Sequence, residues 1–550
     1  MNRFAILLVL LIWTPLTAVS QERATVGLAF GLNGVSDWST QHPFLDIMKT
    51  ARPWIGHLPG QWGGKSFEDL LTEGHLDSSG WPRAVPLDVE KIETLILTDQ
   101  PPEATHLSGR YHVLFDGEGD LQVTGRGRVV SRSKGQRVFS YTPGPGAVGI
   151  AISRIDPNDP IRNIRVVRED QLEFFAKGAL FNPDWLAIHD ATTLVRFMDW
   201  MNTNDSLTQD WDDLPRDTDF SYAWRGVPLN VMVSLANELD ADPWFTIPHL
   251  ANDALVAQFA ETVKQTVEPE RQVFVEYSNE VWNFLFEQSR WAQQQAGERW
   301  GDIGDGWMQF YGLRAAEVMG IWTDVFGVDA ESRLVRVIGV HTGWPELEQA
   351  ILYGEKAIDA LGYPPAEGFD AYAVTGYFGY ELGEPETITP LLEAAENRAR
   401  EAGVAEGLSR VALREFVKRS RFDGAAGAAA EIVRSGSLRE LTETLWPYHA
   451  EAARAAGLDL VMYEGGTHAA PVGDGLGDER LVSFLTFFNY TQDMVELYRH
   501  ALTRWSAFTE SPFNAFVDVA PPSQWGSWGA LRYLGDSTPR WDALTAAAPD

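Results

Sequence analysis

The chain contains no cysteine. Disulfides, Cys-based zinc sites, thiol nucleophiles and a lipid-carrying cysteine are therefore excluded. Long apolar runs are also missing: past the first twenty residues, none reaches the roughly 18 residues that a membrane span needs. Positive charge is scarce. There are 44 Lys and Arg against 77 Asp and Glu, a formal net charge of −33. That balance argues against binding a phosphate backbone and fits solubility in salty surroundings. Neither H-E-x-x-H nor G-x-S-x-G occurs, which argues against zincins and ordinary serine hydrolases. "GPGAVG" (144–149) has the glycine spacing of a dinucleotide loop, but it contains Pro145 and runs into a strand pattern. "DGEGD" (116–120) opens like a calcium loop. It lacks the later Gly and Glu that such a loop needs, so a hairpin turn is expected. No metal or cofactor is called for.

At 550 residues and 45% apolar content, the chain is long enough for one large domain plus an accessory one. Residues 1–20 read as an export signal. Arg3 gives the positive start, "FAILLVLLIW" the apolar core, and Ala18-Val19-Ser20 the small-x-small cleavage site. The mature product is expected in the periplasm or secreted, with no membrane attachment. Tryptophan is abundant, at 21 residues. It serves core packing or stacking on the apolar faces of sugar rings, and composition does not choose between the two.

The texture of the chain changes twice. Over 83–168, "GRYHVLFDGEGDLQVTG" and "GRVVSRSKGQRVFSY" alternate apolar and polar residues at period two, with "DG" and "KG" as turns. This predicts a β-sandwich. Elsewhere, short apolar strands alternate with helical patterns. The strands are 24–33, 192–199, 242–249, 272–280, 334–341, 371–378, 458–464 and 513–519. "NDALVAQFAETVKQTV" shows an Asn cap and 3–4 apolar spacing. Eight such units predict a (β/α)8 TIM barrel in the α/β class, interrupted after its first strand by the sandwich. The expected parts are 21–82 and 169–550 for the barrel and 83–168 for the insertion.

Active groups of such a barrel lie where the strands end. Strand two ends at Arg196 followed by "FMDW", strand three at His249, and strand four at Asn279-Glu280. Strand five ends at His341, strand six offers Tyr377, and strand seven ends at Glu464. Trp525 and Trp528 follow strand eight. One polar group at a strand end means little. Several carboxylates together are costly to bury unless they are paired or used. Glu276, inside strand four, is expected to stay in the barrel interior. His341 and His468 are read as structural or loop residues. Trp38, Trp282 and Trp344 fall in loops on the same face.

"VFVEYSNE" resembles the strand-four signature of clan A glycoside hydrolases, an apolar strand carrying a Glu ahead of an Asn-Glu pair. "LDLVMYEGG" is similar to their strand-seven segment. Arg196, His249, Asn279, Glu280, Tyr377, Glu464 and a strand-eight Trp, here Trp525, resemble the cellulase-like set in type and order. The resemblance covers about 24–60 and 180–540. It departs at Val281, where those families usually carry Pro, and at Thr375, where they carry His. It implies a retaining hydrolase of β-glycosidic bonds in an oligo- or polysaccharide. Glu280 would be the acid/base, Glu464 the nucleophile, and the other five would bind substrate. Two alternatives stand beside it: a non-catalytic glycan-binding protein on a hydrolase-like barrel, and a transglycosylase.

Overall fold

The computed structural model describes residues 27–546. The expected export signal lies outside them. Eight parallel strands close into a barrel in chain order. They are β1 (Leu28–Gly31), β2 (Thr192–Arg196), β3 (Asp242–Ile247), β4 (Val273–Tyr277), β5 (Leu334–Gly339), β6 (Ala371–Phe378), β7 (Asp459–Thr467) and β8 (Phe513–Phe516). Each falls within or overlaps the run predicted for it. Closure is direct, with Leu28 beside Phe513 and Gly31 beside Phe516. Helices fill the connections, among them Leu229–Leu239 before β3 and Asp253–Thr266 before β4. The second starts at the predicted cap, where the Asn252 side chain accepts from the Leu255 N–H at 2.8 Å. No helix among the described residues is long and apolar enough to cross a membrane.

The strands are largely apolar because both faces are covered. Inside the barrel, Ala29, Leu194, Trp244, Val337, Ala371, Ala373, Val461 and Tyr463 form one buried cluster. A much larger cluster joins the outer faces of the strands to the helices.

Between β1 and β2 in the chain lie two antiparallel sheets. One has the order Arg162–Arg168, Gly109–Asp116, Gln136–Tyr141, Arg128–Ser133. The other runs Gly64–Lys65, Ile55–His57, Lys91–Ile96, Val148–Ile155, Gly119–Gly125. Alternate residues such as Ile92, Tyr111, Val113, Phe139, Ile150 and Ile152 meet in a shared buried cluster. Two expectations need correcting. Pairing crosses the boundary expected at 82/83, because Ile55–His57 pairs with Lys91–Ile96. And "DGEGD" is no hairpin. The strands it joins belong to different sheets, whereas Lys134-Gly135 does join a paired hairpin. The Glu118 N–H bonds to the Asp159 carbonyl at 2.8 Å, and a Cβ on Gly117 would lie 2.2 Å from the Pro160 carbonyl oxygen. The turn therefore packs on 156–160 and hands the chain to the other sheet.

Candidate active site

The end of β4 is built on strain. Ser278 and Glu280 both adopt left-handed backbone, with φ of 62° and 44°. For residues with a Cβ this costs about 1–3 kcal/mol each. Three hydrogen bonds hold the twist. Ser278 N–H donates to the Ile247 carbonyl at 2.7 Å, and Asn283 N–H to the Glu280 carbonyl at 2.8 Å. The Gln288 amide donates to the Asn279 carbonyl at 2.8 Å. Asn279 and Glu280, neighbours in sequence, are thereby bonded to different partners.

Arg196, buried at the end of β2, is the hub. Its guanidinium donates to Glu464 Oε1 at 2.7 Å, Glu276 Oε2 at 2.8 Å and Asn279 Oδ1 at 2.8 Å. Trp244 and Tyr463 lie against it, their ring centroids 5.4 Å away. Burial alone would lower its pKa; Glu276 and Glu464 outweigh that and raise it, so it stays charged. Glu276 is buried in the barrel interior, as expected, and also accepts from Trp244 Nε1 at 3.0 Å. Its room comes from Gly339 on β5, where a Cβ would stand 2.9 Å from Glu276 Oε1.

The two outer glutamates are treated differently. Glu464 on β7 is bonded at both oxygens, by Arg196 and by the Tyr377 hydroxyl at 2.8 Å. Among the described residues, Glu280 has no ion pair, and its carboxyl accepts only from the Asn283 amide, at 2.9 Å. Burial pushes the Glu280 carboxyl up, to about 8, and the charge of Glu464 adds to the rise. One carboxylate is thus held by fixed donors, while the other is favoured as the neutral acid.

Five of the seven predicted site residues, Arg196, Asn279, Glu280, Tyr377 and Glu464, meet here. His249 does not touch this network. It is buried against Trp291, its Nδ1 unpartnered, and its nearest charges are Asp205 and Glu287. Burial lowers its pKa to about 4, so it is neutral at ordinary pH. Among the described residues, Trp525 is 63% exposed and does not pair its ring with Tyr377. Trp528 does, its ring 6.1 Å from Tyr377 and 5.1 Å from His468.

Several contributors had no signal of their own in the sequence. Asn204 Oδ1 accepts from Asn279 at 3.1 Å and from Gln288 at 2.7 Å, so two loop amides orient a third. Asn283, three residues past Glu280, shows only as one more Asn in a loop. Asp199, inside the "FMDW" that follows β2, is raised to about 7, first by burial and then by the charge of Glu464. Its position three residues past Arg196 was the available clue.

Compared with known proteins, the chain matches no family model and no curated protein.

Proposed function

We propose that this protein is a retaining glycoside hydrolase acting on β-linked oligo- or polysaccharide, on a (β/α)8 barrel with the two antiparallel sheets inserted after β1. The observation that carries the reading is the contrast between Glu464, held by Arg196 and Tyr377, and Glu280, raised toward the neutral acid. Double displacement requires just such a pair. Glu464 attacks the anomeric carbon as the bond to the glycosidic oxygen breaks. Glu280 gives its proton to that oxygen, and the leaving sugar departs as an alcohol. Glu280, now a carboxylate, takes a proton from water. The hydroxide so generated displaces Glu464 at the same carbon and restores both groups. Asn279 is positioned by Arg196 and Asn204, which leaves one amide hydrogen for a sugar hydroxyl.

The test is turnover of aryl β-glycosides and a panel of β-glycans by Glu280→Gln and Glu464→Gln. Each should lose activity by roughly 10³-fold. Azide should rescue Glu464→Ala and give a glycosyl azide of inverted configuration. Near-native turnover in either Gln variant would overturn the assignment.

A further inference from the structure

The loops after β4 and β5 carry a run of touching aromatic rings. It starts at Trp282, two residues past Glu280. The Trp282 ring lies 4.3 Å from His341, and His341 lies 6.3 Å from Trp344. Trp344 is 6.4 Å from Trp307, which is 5.6 Å from Phe284. The inner end is braced by the core, since Trp282 packs against two buried clusters. The outer end is open, with Trp344 52% and Phe284 42% exposed. Single exposed aromatics are ordinary, but a connected row running outward from a reactive carboxyl is not explained by packing.

The row is also fixed in place. Trp344 N–H donates to the His341 carbonyl at 3.1 Å. Gly343 allows that tight turn, because a Cβ there would stand 3.2 Å from His341 Cε1. The loop is tied down again where the Tyr448 hydroxyl accepts from the Glu346 N–H at 2.9 Å. On the other loop, Asn283 Oδ1 accepts from the Leu285 N–H at 3.1 Å, and Arg290 donates to the Phe284 carbonyl at 2.6 Å. A wall held this way loses little freedom when a ligand lies against it.

We propose that this aromatic wall is the platform for the sugar units on the leaving-group side of the cleaved bond. The substrate would then be a polymer lying across the barrel mouth, with two or more units beyond Glu280. Pyranose rings present apolar C–H faces, and flat exposed indoles are the side chains that bury them. The proposal rests on the reading of Glu280 as the acid. The wall starts beside the group that protonates the leaving oxygen, so the departing chain is the part it meets.

The test uses full-length Glu280→Gln protein and β-linked hexaoses of glucose, mannose, xylose and galactose, with binding followed by tryptophan fluorescence. At least one hexaose should bind. Adding Trp344→Ala should weaken that hexaose about tenfold while leaving the matching monosaccharide unchanged. Phe284→Ala should act in the same direction, and Trp62→Ala, in the antiparallel sheets and 62% exposed, should do nothing. Trp344 is exposed, so its loss should leave the melting temperature in place. Failure of every hexaose to bind, or full affinity in both Trp344→Ala and Phe284→Ala, would overturn the platform. If those results came with a turnover-dead Glu280→Gln enzyme, the hydrolase reading would survive without it. Retained turnover in Glu280→Gln would instead remove the acid on which the platform rests.

Discussion

Glu93 in the antiparallel sheets and Glu280 at the barrel mouth are both enclosed carboxyls, and they are enclosed for different ends. Glu93 is held by donors, Lys91 Nζ at 2.8 Å and the Thr124 hydroxyl, with the His57 ring beside it at 3.2 Å but out of hydrogen-bond geometry. Glu280 has one amide and a neighbouring carboxylate that repels its charge. Burial of a glutamate is therefore no sign of chemistry by itself. The sign is a half-buried carboxyl left short of partners beside a buried one that has them in full.

The sharpest way to break this comparison is at Arg196, which serves the pair at the barrel mouth. Arg196→Met leaves Glu276 and Glu464 buried without their cation. Truncating one partner of a buried ion pair costs about 3–5 kcal/mol. Denaturant unfolding should show a loss of that size, and turnover should fall with it. A loss close to zero would mean that the network is held by packing rather than charge.

Glu93→Gln should give the opposite split. It removes charge from a carboxyl that Lys91 and Thr124 hold, so stability should fall by about 1–3 kcal/mol. Hydrolysis should be unchanged once the variant is folded. If turnover collapsed while the melting temperature held, the sheets would be part of the reactive site and the contrast would fail.

Much of this was legible in the sequence, for a physical reason. Parallel strands covered on both faces need largely apolar runs, so all eight stand out, and strands two to seven each offer a polar residue at or near the end. Of the residues marked that way, Arg196, Asn279, Glu280, Tyr377 and Glu464 lie together in the structure. The sheets were read less fully. Ile55–His57 is three residues with a central Gly, and Gly64–Lys65 is two, too short for a period-two pattern. "DGEGD" has the composition of a hairpin, and only Pro160 and Asp159, some forty residues on, send the chain elsewhere. In the site, Asn204 and Asn283 carry no signal because a polar residue in a loop reads as solvated whichever way it faces. The sequence favours Trp525 over Trp528, whereas in the structure it is Trp528 whose ring lies against Tyr377.

The smallest expected effect is the most specific to Glu280. Its carboxyl is raised by burial and by Glu464, and the Asn283 amide works against both because it bonds to the charged form. Transfer of a proton to the leaving oxygen needs the neutral acid, which exists below the pKa. If Glu280 is the proposed acid, the kcat/KM profile of the native protein should therefore fall as pH rises through about 8. Asn283→Ala removes the larger of the two influences that favour ionisation, the more distant Arg196 charge being the other. The alkaline limb should move upward, by about one unit at most, since one hydrogen bond is worth about 0.5–1.5 kcal/mol and one unit is about 1.4. The variant also loses the Leu285 N–H contact, so melting must be followed alongside. A general loosening of the loop would lower kcat/KM at every pH and leave the limb where it was. A limb that moved downward would mean that Asn283 bonds the neutral acid, and the proton would then have to come from another group.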